Sequence, residues 1–378
     1  MSINTYTFGE GLRNKGFDFY SGVPCSFLKD LINYAVNECD YVMAANEGDA
    51  VATCAGAFIG GRKSVFLCQN SGLTNAVSPL TSLNYTFKIP VLGFVSLRGE
   101  EGLNDEPQHE LLGKITTDMI EMMQIEWAYL SSNEEEALEQ LQHANRIIDQ
   151  NRSFFFVVRK NTFNSVVLKE RQDSVPRTRS ITGHENAPTA FYPQRMDILS
   201  TLQNTCNEDT VLLATTGVTG RELYELEDSP NQFYMVGSMG CIGALSLGLA
   251  IARPDKKIIC IDGDGSLLMR MGSLATTAYY RPVNLLHVLL DNGVHESTGG
   301  QFTVSSIVDF AQLARSSGYS DVTNIGSIEE LEKKIEAWTS EPMLSFVYIS
   351  TALGTKGNLG RPKIKPFQVK ERLMKHLQ

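Results

Sequence analysis

The chain has 378 residues, 42% of them apolar and 20% charged, with a formal net charge of −10. The length predicts two domains, the composition a full globular core, and the acidic balance disfavours nucleic acid and anionic membrane as partners. No run of about 18 apolar residues offers a membrane span, residues 1–11 lack the pattern of a secretory signal, and seven cysteines without a CxxC pair point to free thiols in a reducing cytoplasm rather than to disulfides or zinc.

In chain order, apolar runs bounded by turn residues predict strands at 41–45, 64–69, 89–97 and 153–159. A helix at 133–150 carries Ala137, Leu138, Leu141, Ala144, Ile147 and Ile148 on one face. The stretch 169–194 holds Pro176, Pro188 and Pro193 and no sustained period, which predicts a linker between a first domain, 1–168, and a second, 195–378. Further strands follow at 210–214, 232–236, 257–262, 283–291 and 344–350, and a helix at 327–338 opens with Ser327 and Glu330 at capping-box spacing. This alternation predicts an α/β protein of two domains, each a mainly parallel sheet covered by helices on both faces. The halves also rhyme: Gly72 and Gly265 each follow a strand, and Pro90 and Pro282 each open the next, as two copies of one fold would give.

The strongest local signal is Asp262-Gly263-Asp264-Gly265-Ser266, with Asp291-Asn292-Gly293 at the end of the next strand. Polar groups just past strand ends point into the crevice where open α/β sheets bind ligands. Gly263 and Gly265 are expected to turn the backbone sharply and let a ligand approach. Asp264, Asn292 and a backbone carbonyl beyond it offer three hard oxygens, a set suited to Mg²⁺ shared with a diphosphate. Gly-Gly-Arg-Lys-Ser at 60–64 is no phosphate loop, because Arg62 interrupts the required Gly-Lys adjacency and the order of helix and strand is reversed.

The Gly-Asp-Gly-Ser to Asn spacing resembles the motif of thiamine diphosphate-dependent decarboxylases and their relatives. That resemblance implies thiamine diphosphate and Mg²⁺ as cofactors, with the ion held by Asp264, Asn292 and the Val294 carbonyl, and Gly263, Gly265 and Ser266 beside the cofactor. Gly237-Ser238-Met239 resembles the family segment whose carbonyl meets the aminopyrimidine and whose apolar residue bends the cofactor. Glu47, after Asn46 where the family often has His, implies the carboxyl that bonds the pyrimidine and acts catalytically, in an apolar site that keeps it partly protonated. Gly72 and Thr74 fall in a turn similar to the one beside the pyrimidine, and Thr216 and Gly217 in a donor-rich strand end suited to diphosphate or the amino group.

The family usually inserts a middle domain, and this chain has only a linker there. That departure implies the compact members, which decarboxylate phosphonopyruvate or sulfopyruvate. The stretches 98–116 and 291–301 favour phosphonopyruvate, with phosphonoacetaldehyde and CO₂ as products and phosphonate biosynthesis as the setting. They place Arg98, His109, His295, Ser297 and Thr298 on strand-end loops that reach a small anionic 2-oxo acid, with Lys356 a further cation. The resemblance also implies a homodimer or larger homo-oligomer with active sites between subunits. A phosphotransferase using Asp264 would leave Glu47 unexplained, and a regulatory subunit would not need Glu47 and the metal set together.

Overall fold

The computed structural model describes residues 2–103, 105–169, 192–298 and 300–378. The chain divides into two compact units, Met1–Pro176 and Arg177–Gln378. Of the expected linker 169–194, residues 170–191 lie outside the described residues.

The first unit holds six parallel strands: β1 Phe17–Gly22, β2 Asp40–Met43, β3 Lys63–Gln69, β4 Leu92–Ser96, β5 Glu126–Tyr129 and β6 Phe154–Val158. Their spatial order is β2-β1-β3-β4-β6-β5. Successive residues face opposite sides, and both sides are dry. Val65, Leu67, Phe94 and Phe156 enter one core, while Phe66, Cys68, Val95 and Phe155 enter the other. Burial on both faces is why these strands read as unbroken apolar runs rather than as alternation.

The second unit repeats the plan with β7 Thr210–Ala214, β8 Gln232–Tyr234, β9 Lys257–Gly263, β10 Leu285–Asp291, β13 Asp321–Ile325 and β14 Ser345–Ser350, ordered β13-β14-β10-β9-β7-β8 and parallel throughout. A short antiparallel hairpin, β11 Val294–His295 with β12 Gln301–Phe302, is inserted after β10. Counted within its own unit, each six-stranded sheet runs 2-1-3-4-6-5. The duplicated fold expected from the rhyme is therefore present at the level of topology.

Several expected boundaries move. The strand expected from 89 begins at Leu92, past Pro90, which has no N–H for the ladder. The one expected from 283 begins at Leu285, because Val283 is 61% exposed. β1, β5 and β13 were not expected; each is short and carries Asp, Glu, Thr or Asn among its apolar residues. Helix Glu134–Ile148 buries Ala137, Leu141, Ala144, Ile147 and Ile148 as its periodicity predicts. Helix Ile328–Ser340 is capped by Ser327, but the Glu330 carboxylate accepts from Gly326 N, one residue before the cap, so the reciprocal half of the box is displaced. Among the described residues no helix is long and apolar enough to cross a membrane.

Candidate active site

In the second unit the carboxyl ends of β7, β9 and β10 open on one cleft enclosing about 70 Å³. Thr216, Gly217, Met239, Gly263, Asp264, Gly265, Ser266, Asn292, Val294, His295 and Ser297, all expected from sequence, line it together.

Asp264 starts helix Asp264–Met269 directly from β9 and is only 4% exposed. Its Oδ2 accepts a 2.5 Å hydrogen bond from Thr303 Oγ1. Burial, and then the neighbouring Asp291 carboxylate, push its pKa above the ordinary value. Asp291 in turn accepts from Ser305 Oγ at 3.0 Å, from Gly293 N at 3.0 Å and from Tyr348 Oη at 2.9 Å. Two carboxylates thus lie close together on hydroxyl and amide donors, with no cationic hydrogen-bond partner among the described residues, a setting a divalent cation would stabilise. Asn292 Oδ1 accepts from Val294 N at 3.1 Å, which orients the amide and leaves a lone pair free. Among the described residues no three His, Cys, Asp or Glu side chains gather to hold a metal. An ion at Asp264 would therefore complete its shell from an amide, a carbonyl, phosphate and water, and the donor set fits Mg²⁺.

The glycines act differently from expectation. Gly263 has an ordinary extended φ of −119° and forms no sharp turn, because the chain passes straight from strand to helix. Gly265 is required by contact: a Cβ there would lie 2.4 Å from His295 Cε1, so the imidazole rests on the bare backbone. The left-handed run is elsewhere, at Gly237 (φ 66°), Ser238 (φ 45°) and Gly240 (φ 90°). It presents Met239 to the cleft, while Gly237 and Ser238 stand behind and do not line it. Ser266 Oγ accepts from Gly240 N at 3.1 Å and shares a 3.0 Å hydrogen bond with Thr215 Oγ1, stitching three strand-end segments together. Thr298 is likewise outside the lining; its hydroxyl spans His295 O and Gln301 Oε1 and braces the hairpin.

Sequence reasoning missed Arg195, which also lines the cleft. It is 6% exposed and lies 2.6 Å from Glu222 Oε2 and 2.7 Å from Glu296 Oε2. Burial opposes its charge, and the two carboxylates more than offset that, so its pKa lies above the ordinary guanidinium value. Glu296 also accepts from Gly354 N at 2.7 Å, so Arg195 fastens the 294–298 turn to the helix Val218–Leu226. One signal was available: a cation in the first turn of helix Arg195–Thr205 is disfavoured by the helix dipole.

In the first unit Glu47 opens helix Glu47–Ile59, and Asn46 caps that helix by accepting from Gly48 N at 2.8 Å. Glu47 Oε2 accepts from Asn75 Nδ2 at 2.9 Å. A Cβ on Gly72 would lie 2.0 Å from Glu47 Oε1, so any larger residue there would push the carboxylate aside. Thr74 is exposed and its hydroxyl is spent on Ser71 O within its own helix.

The two expected substrate groups of this unit are differently disposed. Arg98 is tied to Asp105 through two nitrogens, holds Ser26 Oγ at 3.2 Å and lies over the Phe27 ring. That pairing holds Asp105 well below the ordinary carboxylate range. Arg98 is therefore a brace of its own loop rather than an open cation. His109 is 6% exposed, with Nδ1 buried and unpartnered among the described residues, behind Gly99, whose φ of 75° brings it against the His109 carbonyl. Lys356, on the second unit, pairs with Glu225 at 3.2 Å.

Residues 215–349 match the family model described as the thiamine pyrophosphate enzyme, C-terminal TPP binding domain. The chain is 35% identical to the phosphonopyruvate decarboxylase of Streptomyces hygroscopicus over 96% of its own length and 91% of that protein. It is 29% identical to the sulfopyruvate decarboxylase of Methanosarcina acetivorans, over 94% and 92% of the two chains. The crystal structure of benzoylformate decarboxylase from Polynucleobacter necessarius superposes with a TM-score of 0.71 at 13% identity, covering 94% of this chain and all of that one, which speaks to the fold.

Proposed function

The chain belongs to the thiamine diphosphate-dependent decarboxylases, and from that premise we propose that it converts phosphonopyruvate to phosphonoacetaldehyde and CO₂. Its near full-length similarity to a protein named for that activity supports the substrate. The observation that supports the reading is the cleft itself, which the buried Asp264 carboxylate and the oriented Asn292 amide line at the ends of β9 and β10.

Loss of CO₂ from a 2-oxo acid leaves an acyl carbanion, and thiamine diphosphate supplies the electron sink for it when bound. The chain's own part is binding and orientation. Asp264, Asn292 and the Val294 carbonyl would hold Mg²⁺, with Thr216, Gly217 and the 263–266 turn beside the diphosphate. Met239, presented by the left-handed run, would brace the cofactor from the side. The Glu47 carboxyl, steadied by Asn75 and seated on Gly72, would hold the pyrimidine ring and carry a proton at Oε1 or Oε2. We further assign the working form as a homodimer or larger homo-oligomer, with Glu47 of one chain and Asp264 and Asn292 of another serving one site. All seven cysteines are free, which suits a reducing compartment such as the cytoplasm.

Reconstitution with thiamine diphosphate and Mg²⁺, followed by CO₂ release from phosphonopyruvate, sulfopyruvate and pyruvate, tests the proposal. The highest kcat/KM is expected with phosphonopyruvate. A higher value with sulfopyruvate would move the chain to the activity named for its Methanosarcina relative, and no release from any of the three would end the reading. Full activity in a sedimenting monomer would remove the shared-site assignment.

A further inference from the structure

Beside the cleft lies a second and larger cavity of about 490 Å³, and nothing above gives it a role. The two share Thr216, Gly217 and Ser297 as a common wall. Its lining includes the apolar side chains Met235, Val236, Ile364 and Val369. Its rim carries Arg361, which is exposed and makes no hydrogen bond or ion pair among the described residues.

That isolation matters because the other two arginines lining the two cavities are committed. Arg195 lies between two carboxylates, leaving that trio with a net charge of about −1. Arg221, also on the cavity wall, donates to the Leu359 and Gly360 carbonyls, the latter at 3.0 Å. Lys356 is paired with Glu225, and in the first unit Arg98 is paired with Asp105. The Arg221 bonds have a second consequence: they pin the backbone immediately before Arg361, so its guanidinium springs from a fixed point. On the shared wall, the Ser297 hydroxyl likewise has no hydrogen-bond partner among the described residues.

A planar guanidinium with a free hydroxyl donor matches a tetrahedral anion, since the fork can take two oxygens and the hydroxyl can reach a third. The chain as a whole is acidic, so an anionic substrate needs such a local exception. We propose that this second cavity is the phosphonate pocket of the substrate, with Arg361 as its specificity-determining cation and Ser297 as its neutral donor. The inference rests on the decarboxylase reading above and deepens it.

The test uses the full-length enzyme saturated with thiamine diphosphate and Mg²⁺. The probe is β-phosphonopropionate, which keeps both acid groups of the substrate and lacks the ketone; propionate is the control. In Arg361→Gln, calorimetry should show the Kd for β-phosphonopropionate rising by about 10- to 100-fold, the scale of losing a charged hydrogen-bond donor, with thiamine diphosphate affinity unchanged within about twofold. Arg361→Lys should recover part of the loss, keeping the charge but not the fork. The ratio of kcat/KM for phosphonopyruvate to that for pyruvate should fall in parallel. Unchanged β-phosphonopropionate affinity in Arg361→Gln would overturn the assignment, as would an equal loss of cofactor affinity, which would make Arg361 part of the diphosphate site. If wild-type enzyme releases no CO₂ from phosphonopyruvate, the decarboxylase reading fails instead, and the binding arm still reports on the pocket.

Discussion

The two units put a glycine at the same place, just past their third strand, and fill the space above it differently. In the first, Gly72 receives the Glu47 carboxylate; in the second, Gly265 receives the His295 imidazole. A Cβ would meet the incoming group at 2.0 Å in one and 2.4 Å in the other. The shared feature is thus a backbone left bare for a polar side chain arriving from another segment. Around these seats the bonding diverges. Among the described residues Glu47 has a single side-chain hydrogen-bond partner, Asn75, and it is half-buried. Asp264, beside Gly265, is buried in a web with Thr303, Ser305, Asp291 and Tyr348. A sparsely held carboxyl suits proton traffic, and a densely held one suits an anchor for a fixed ion.

The sharpest way to break this contrast is to neutralise each carboxyl in turn. Glu47→Gln should cut kcat by about 10²- to 10⁴-fold, the usual scale of a positioned acid–base group, while cofactor affinity moves by less than about tenfold. Turnover within a few-fold of wild type would remove Glu47 from the chemistry. Asp264→Asn should fail first in binding: calorimetry should show Mg²⁺ affinity reduced by at least about 100-fold, since changes one shell further out already cost roughly 10- to 100-fold. If Asp264→Asn binds metal normally and loses only turnover, the division into anchor and proton carrier is wrong.

The seats themselves give the next test. Gly72→Ala and Gly265→Ala each force a methyl group into an occupied space, at a cost of about 1–3 kcal/mol in thermal or denaturant unfolding. Stability should fall comparably in both. The functional effects should part company, with Gly72→Ala lowering kcat by displacing Glu47, and Gly265→Ala disturbing the metal turn and the hairpin carrying His295. An alanine tolerated at either site without loss of stability would show that the contact is not tight in solution.

How much of this could be read from the chain follows the same line. Asp264, Asn292 and Glu47 were legible because each lies beside its own strand end, so a local pattern fixes its placement. The duplicated topology was legible from the matched glycines and prolines. Arg195, Glu222 and Glu296 were not, because they are common residue types on three separate segments and only folding brings them together. Arg98 misled for a related reason: a cation on a strand-end loop looks open, and sequence does not reveal that Asp105 turns back onto it. Short strands β5 and β13 lie at sheet edges, where partial exposure lets charged and polar residues dilute the apolar pattern.

The Arg98 loop supplies the smallest effect and places a third kind of carboxylate beside the first two. Asp105 is neither a proton carrier nor an ion anchor; it accepts from Arg98, from Gly99 N at 2.9 Å and from Glu106 N at 2.9 Å. Its pKa in the folded chain lies below the unfolded carboxylate value of about 3.9. The stabilisation it provides is therefore complete above about pH 4 and is lost as pH falls through the depressed folded value. Hydrogen exchange at Gly99 N–H reads this directly, because that amide is bonded to the carboxylate itself. In wild type its protection should persist to pH 4 and decline only in stronger acid. In Asp105→Asn, the amide keeps one acceptor oxygen and turns an NH₂ donor toward the other donors at every pH, so Gly99 should exchange about tenfold faster already at neutrality. Equal protection in the two proteins at neutrality would mean that the turn is held by its packing on His109, through the same glycine contact that governs Gly72 and Gly265, and not by charge.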